Sequence, residues 1–291
     1  CVSGFPERSI LLPELPEVET VASELRQSEL LKTSIKGVDV LWPRSVAVPS
    51  PAEFSSELRD QKVNKIFRRG KFLVMELSSK KVLLVHLRMT GQFYFSSSNQ
   101  PDEHVRIRVR LENGEELRFR DTRKFGKWYL VDHCEEIIGK LGPEPFDPSL
   151  TAKEFHRMLK GRKRQLKPLL LDQEFLAGLG NIYVDEALWE SRLNPLQVSS
   201  DLKFSDSQRL LEGIRLVLQR GLKNLGTTLG TGKANFYSVA KRKGRNQDEL
   251  KVFRRTGQPC PRCSSQVKRI LVGQRSTHFC SNCQRRRKKC S

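Results

Sequence analysis

No stretch of the 291 residues approaches the ~18 consecutive apolar residues of a membrane-spanning helix, and the amino-terminal end holds no apolar run long enough for a secretory signal. A helical membrane protein is excluded, and an intracellular, cytoplasmic setting is expected. No repeat recurs at solenoid spacing, which excludes a repeat array. Acidic residues are scarce: 33 Asp and Glu face 53 Lys and Arg, a formal net charge of +20. From Arg255 to Ser291 there are ten Lys and Arg and no acid, so half of the net charge lies in the last 37 residues. Residue 1 is Cys, not Met, and residues 1–12 read as a non-native or upstream extension.

What is present is enough for folded domains. Hydrophobic residues make up 37% of the chain, and the length suits two or three domains. The positive excess predicts a polyanionic partner, with nucleic acid ahead of an anionic membrane surface or simple solubility. The tail Arg285–Lys289, taken alone, reads as a solvated terminus.

Proline in a first turn, followed by acids, predicts a helix from about Pro16 to Leu31, with Val18, Val21, Ala22 and Leu25 on one face. Eight short strands are expected next, at Val38–Trp42, Val63–Arg68, Phe72–Leu77, Val82–Leu87, Gln92–Phe95, Val105–Leu111, Leu117–Arg120 and Trp128–Val131. Val105–Leu111 alternates strictly, and Asn113-Gly114 is a hairpin signal. Such strands imply a sandwich or barrel. Gly142-Pro143-Glu144-Pro145 reads as a linker. Helical patterns follow at Ala152–Leu159, Lys167–Phe175, Ile182–Ser191 and Ser205–Leu222. Gly226–Gln247 has weak periodicity and reads as a long loop, of a length that is usually functional or disordered.

Cys260-Pro261-Arg262-Cys263 and Cys280-Ser281-Asn282-Cys283 form two C-x2-C knuckles sixteen residues apart. Two such knuckles can complete a tetrahedral thiolate site in a unit too small for its own core. Zinc is the reading that fits; disulfides, unrelated thiols or an iron–sulfur cluster are the alternatives. Cys134 is expected to be a buried thiol and Cys290 part of the tail.

Pro13-Glu14-Leu15-Pro16-Glu17-Val18-Glu19-Thr20, combined with the terminal cysteine hairpin, resembles the formamidopyrimidine-DNA glycosylases. Further blocks agree in order: Arg68–Leu73, His86–Gly91, Asp121–Gly126, Leu141–Pro145, Ala177–Tyr183 and Thr277–Cys280. The resemblance spans residues 13–283. It implies an α+β multidomain fold: a leading helix with an amino-terminal β-sandwich (13–141), a helix-two-turn-helix domain with a lesion-capping loop (142–250), a zinc-finger β-hairpin (251–284) and a basic tail (285–291). It also implies a monomeric bifunctional glycosylase and abasic-site lyase that removes oxidised purines from damaged double-stranded DNA, with one structural Zn2+. An oxidised-pyrimidine enzyme of the same superfamily, or a non-catalytic DNA-binding zinc protein, are the alternatives.

By the same resemblance Pro13 is the nucleophile, Glu14 the general acid/base, Lys71 and Arg275 assist elimination, and Glu17 orders the site. Met89, Arg123 and Phe125 fill the gap left by an extruded nucleotide. Lys163, Lys167 and Asn181 contact phosphates, Asn181 also standing where a helix N-cap is expected. Three departures stand out. Asp102 replaces a DNA-binding histidine, with His104 retained. The 226–247 loop is longer than usual and carries Gly230-Thr231-Gly232-Lys233. Leu12 precedes Pro13 where an initiator Met is usual. An internal proline nitrogen is an amide and cannot attack a sugar, so residue 12 is expected to be the translation start.

Overall fold

The computed structural model describes residues 12–97, 101–229 and 236–286. Its first helix, α1 (Leu15–Arg26), carries Pro16 and Glu17 in its opening turn and Arg26 in its last, each placed to suit the helix dipole. It ends earlier than the sequence pattern suggested. The Ser28 hydroxyl accepts from Leu30 N and starts a separate 3-10 turn, Glu29–Leu31, the local side-chain bond that competes with helix continuation.

Two sheets follow. The strands are β1 (Ile35–Val40), β2 (Val46–Val48), β3 (Val63–Arg69), β4 (Phe72–Leu77), β5 (Val82–His86), β6 (Gly91–Ser96), β7 (Val105–Leu111), β8 (Glu116–Asp121) and β9 (Lys127–Val131). One sheet has the order β1-β7-β8-β6 and the other β2-β9-β5-β4-β3, with β2 parallel to β9 and all other pairs antiparallel. Between them pack Phe54, Phe93, Phe119 and Trp128, with ring centroids 5.2–6.1 Å apart, within the range favoured by edge-on aromatic pairs. All eight expected strands are present. The ninth, β2, is three residues long, too short to show a period. Helix α2 (Pro51–Leu58) was also not anticipated, although Ser50-Pro51-Ala52-Glu53 is a capping box: Glu53 N donates to the Ser50 hydroxyl and Ser50 N to the Glu53 carboxylate.

Two of the arginines on β7 are internally compensated. Arg110 pairs with Asp39 at 3.1 Å, and Arg106 donates to the carbonyls of Asp121 and Glu103. On neighbouring β8, Arg118 pairs with Glu116 and Arg120 with Asp102.

After the short helix α3 (Glu135–Ile138) and the linker come α4 (Ala152–Lys160), α5 (Leu166–Leu171), α6 (Asn181–Glu190) and α7 (Phe204–Lys223) around a second hydrophobic core. Helix α1 straddles the two cores: Leu15 packs among the helices, and Val18, Val21, Ala22 and Leu25 pack in the sandwich. The last unit is the hairpin β10 (Lys268–Val272) and β11 (Arg275–Phe279). Its two turn residues, Gly273 and Gln274, both have positive φ, the twist-matched geometry of a tight hairpin. This is the expected α+β architecture of leading helix, sandwich, helical domain and terminal cysteine hairpin.

The hairpin is fastened to α6 by buried polar groups. Glu186 accepts from the backbone N–H groups of Lys251, Val252 and Phe253 at 2.8–2.9 Å. Asp185 takes Lys167 Nζ at 2.5 Å on one oxygen, and His278 N and Nδ1 at 2.9 and 3.1 Å on the other. Lys167 and Asp185 are completely buried. Lys167 is therefore not an exposed phosphate ligand; its charge is spent inside, joining α5 to α6 and, through Asp185, to β11. Removing one partner of a buried ion pair strands the other. Asp185→Ala is expected to destabilise the protein by about 3–5 kcal/mol, read as a fall in the urea midpoint, and a change under about 1 kcal/mol would show that the pair is not structural.

Candidate active site and nucleic-acid interface

The amino-terminal end of α1 abuts the amino-terminal end of α6. Glu14 is 1% exposed, and its carboxylate accepts from Gly180 N at 2.7 Å, Ile182 N at 2.9 Å and Tyr183 N at 3.4 Å. These are the unsatisfied donors of a helix start, where a negative charge is favoured. The approach requires glycine. A Cβ on Gly180 would come 2.4 Å from Glu14 Cδ, and Gly178 has φ +95° with Leu15 pressed against it. Leu15 N donates to Gly178 O at 3.0 Å. Burial pushes the Glu14 carboxyl from 4.5 up to about 7, against the pull of nearby Lys71; Glu17 pushes the same way as burial.

Glu17 is buried beside it. It accepts from Glu14 N at 2.9 Å, Thr227 N at 2.7 Å and the Tyr183 hydroxyl at 2.9 Å. Burial raises its carboxyl too, against these donors. Gly226, at φ +82°, lies so close that a Cβ would meet Glu17 at 2.8 Å. Glu17 thus connects the start of α1 to the root of the 226–247 loop.

Lys71 projects from the two-residue β3–β4 turn, after Gly70 at φ +57°. Burial lowers its ammonium below the ordinary lysine range; Glu14 and Glu17 oppose the shift and Arg275 adds to it. Arg275 opens β11 at the exposed tip of the carboxy-terminal hairpin. Pro13 is buried immediately before Glu14. Residues from opposite ends of the sequence are therefore electrostatic neighbours around Lys71. His86 borders the same place: burial, with Arg88 and Lys71, lowers its pKa to about 3, so it stays neutral, with Nδ1 accepting Arg88 N at 3.0 Å.

Met89, Arg123 and Phe125 sit on two adjacent loops. Met89 is half-buried, Arg123 exposed, and Phe125 is 48% exposed, so Phe125 is no core residue. The Arg123 guanidinium lies 5.0 Å from the Phe125 ring. Asp121 joins the loops: it takes the Thr90 hydroxyl, Arg123 N at 3.2 Å and Gly126 N at 2.7 Å.

Asn181 is the first residue of α6 rather than its N-cap, which is Gly180. Its side-chain nitrogen donates to Ser276 O at 3.1 Å, fixing α6 to the hairpin. Its side-chain oxygen has no hydrogen-bond partner among the described residues. Lys163 is exposed on the α4–α5 connection. Asp102 is engaged internally by Tyr94 OH, His104 N and Arg120 Nε at 2.9–3.1 Å. A cleft of about 800 Å3 between β6, β8 and Tyr237–Lys241 is remote from this chemistry, as neither Glu14 nor Lys71 lines it. The Gly230–Lys233 segment lies outside the described residues. The flanking part of its loop is held by Glu24, which accepts from Ala240 N and Arg242, and by Val239, buried in the sandwich core. Cys134 is half-buried rather than buried, with its thiol against Glu135; Cys290 lies outside the described residues.

The four cysteine sulfurs lie within 4.8 Å of one another, Cys260–Cys283 at 3.9 Å and Cys263–Cys280 at 3.5 Å. A disulfide needs about 2 Å. Four thiolates at ~2.3 Å from a tetrahedral zinc stand about 3.8 Å apart. The set fits one structural Zn2+, and Trp189 Nε1 donates to Cys260 Sγ at 3.3 Å, the kind of outer hydrogen bond that orients a ligand.

Two outcomes follow from this geometry. Glu14 is protonated in the folded protein up to about pH 7 but ionises near 4.5 when unfolded, so its contribution to stability is present at low pH and is lost as pH rises through 7. Glu14→Gln does not titrate; the stability gap between wild type and variant should be widest below pH 5 and narrow towards pH 8 in urea titrations. A pH-independent gap would contradict the shift. Stripping zinc with a strong chelator should unfold the hairpin that carries Arg275 and abolish DNA binding, measured by fluorescence anisotropy, with recovery on adding Zn2+.

Family models agree with this organisation. The formamidopyrimidine-DNA glycosylase N-terminal domain matches residues 12–128, the formamidopyrimidine-DNA glycosylase H2TH domain residues 141–232, and the zinc finger found in FPG and IleRS residues 257–286. The formamidopyrimidine-DNA glycosylase of Protochlamydia amoebophila is 48% identical over 276 residues, covering 94% of this chain and all of that protein; the one from Herpetosiphon aurantiacus is 41% identical with the same coverage. The Lactococcus lactis FPG mutant G226P, in complex with a Fapy-dG containing DNA, superposes with a TM-score of 0.87 at 34% identity, covering 94% of this chain and all of that one. The MutM (FPG) protein of Thermus thermophilus gives 0.84 at 36% identity, covering 95% and 100%. Sequence, fold and cysteine site agree, and the chain belongs to the formamidopyrimidine-DNA glycosylase family.

Proposed function

We propose that this protein is a base-excision-repair DNA glycosylase and abasic-site lyase that acts, as a monomer, on oxidised purines in duplex DNA. The observation that carries the reading is the convergence of Glu14, with its carboxyl raised to about 7, and Lys71, with its lowered ammonium, on the place where Pro13 begins the motif. A group titrating near working pH can both give and take a proton, and a lysine shifted downward is one held out of water.

In this reading the Pro13 nitrogen, as a free secondary amine, attacks C1′ of the damaged nucleotide. The bond to the base breaks, the base leaves with a proton, and the sugar ring opens as Glu14 protonates its oxygen. The product is an iminium between Pro13 and C1′. Loss of a C2′ proton then expels the 3′ phosphate, and a second elimination expels the 5′ phosphate, with Lys71 and Arg275 beside the departing anions. Water finally hydrolyses the iminium and frees Pro13. Phe125 and Met89 would occupy the gap left by the extruded nucleotide, with Arg123 hydrogen-bonding the orphaned base. Asn181, Lys163 and the zinc hairpin would take the phosphates; Zn2+ holds the hairpin's fold and touches no reacting atom.

Among the described residues no helix is long and apolar enough to cross a membrane, and a bacterial cytoplasm is the setting proposed. The nucleophile imposes one condition: in a chain where Leu12 precedes it, the Pro13 nitrogen is an amide with a delocalised lone pair. Borohydride reduction on abasic duplex DNA should give a covalent adduct when Pro13 is amino-terminal and none when residues 1–12 are attached. Absence of an adduct from the zinc-loaded protein with free Pro13 would refute the lyase assignment. Pro13→Gly should lose base release while keeping most DNA affinity.

A further inference from the structure

The linker between the two large domains does more than connect them. Glu144 is one-fifth exposed and is the hub of a network that ends beside Lys71. Arg68 donates to it through both terminal nitrogens, at 3.0 and 2.9 Å, Arg69 through one at 3.1 Å, and the backbone N–H of Gly70 at 2.6 Å. Gly70 is the residue before Lys71. Arg69 also holds the linker carbonyls of Leu141 and Gly142 at 3.0 and 2.6 Å, and Arg68 reaches Gly70 O at 2.9 Å and Glu19 of α1 at 3.2 Å. The adjacent linker residue, Pro143, accepts Ala177 N at 3.0 Å, at the head of the glycine loop that cradles Glu14.

We propose that Glu144 is a positioning residue for Lys71, so that the seating of the helical domain on the sandwich sets where the lysine stands. This rests on the reading of Lys71 given above. The chemistry of the turn calls for such a residue. Arg68, Arg69 and Lys71 put three cations within four positions, and Arg275 adds a fourth at Lys71. Like charges this close repel, and a two-residue turn around a positive-φ glycine is held from outside itself. A carboxylate that takes four donors pins the turn and, together with Glu19 on Arg68, offsets the arginine charge, leaving the lysine as the charge turned to the site. Although burial works against it, the Arg68 bonds keep Glu144 ionised, below the ordinary carboxylate range. Without it the turn moves outward and carries Lys71 away from Glu14.

The test is a double-substitution cycle, read as single-turnover strand cleavage at a preformed abasic site, using the protein form that traps with borohydride. Glu144→Gln should slow elimination by about tenfold or more, as a displacement near 1 Å does, with DNA affinity within about twofold of wild type by anisotropy. In a Lys71→Met background the same substitution should add nothing, because its effect passes through the lysine. Glu144→Asp should restore part of the rate. A full tenfold effect of Glu144→Gln on top of Lys71→Met, or a wild-type rate for Glu144→Gln alone, overturns the positioning role while leaving the reading of Lys71 standing. A wild-type rate for Lys71→Met overturns both. If Glu144→Gln does not fold, Glu144→Asp takes its place in the cycle under the same criteria.

Discussion

The structure turns on one carboxylate pressed into the start of one helix from the start of another. Glu14 leaves water to satisfy the first donors of α6, and in doing so locks the sandwich's leading helix to the helical domain. The contact is costly in charge and rich in hydrogen bonds. Burial dominates the balance, and the carboxyl titrates near neutrality instead of near 4.5. The same contact explains why Gly180 is a glycine, since any Cβ there would occupy the space of the Glu14 carboxyl; Gly178, at φ +95°, is held by Leu15 instead. A structural joint and a proton-exchanging group are here the same side chain.

Around that joint three parts of the molecule converge, each with most of its apolar packing in its own cluster. The sandwich offers Lys71 on a tight turn, the helical domain offers the α6 start with Asn181, and the cysteine hairpin offers Arg275. Each is tied to its neighbour by buried polar bonds rather than by apolar packing alone: Glu17 to Tyr183 and Thr227, Asp185 to Lys167 and His278, Asn181 to Ser276. Such networks demand complete satisfaction and so fix geometry tightly. The chain's formal net charge of +20 suits a duplex whose phosphates supply much of the binding free energy.

The fold was largely legible in the sequence because its signals are local. Short apolar runs, one of them strictly alternating, marked eight strands, periodicity marked the long helices, and the spacing of two C-x2-C knuckles marked the metal site. Ser50-Pro51-Ala52-Glu53 is a local signal for helix α2 too, but eight residues set among strands carry too little period to stand out. The burial of Lys167 was not legible, since its partner Asp185 lies 18 residues on and His278 lies 93 beyond that. Lysine reads as a surface residue until a buried carboxylate is seen beside it. Glu144 is a similar case. Within its linker it reads as a turn acid, and only the fold brings it to Arg68, Arg69 and Gly70, 74–76 residues away. Resemblance supplied residue roles; the structure supplies what holds those residues in place.

The central claim is that Glu14 is held out of water and titrates near neutrality. The most direct measurement is its own titration, from the carboxyl resonance of 13C-labelled glutamate in the zinc-loaded protein, assigned by its disappearance in Glu14→Gln. The account predicts a midpoint close to 7. A midpoint near 4.5, the value of an ordinary glutamate, would mean that the carboxylate is solvated and that the junction of α1 and α6 does not close as described.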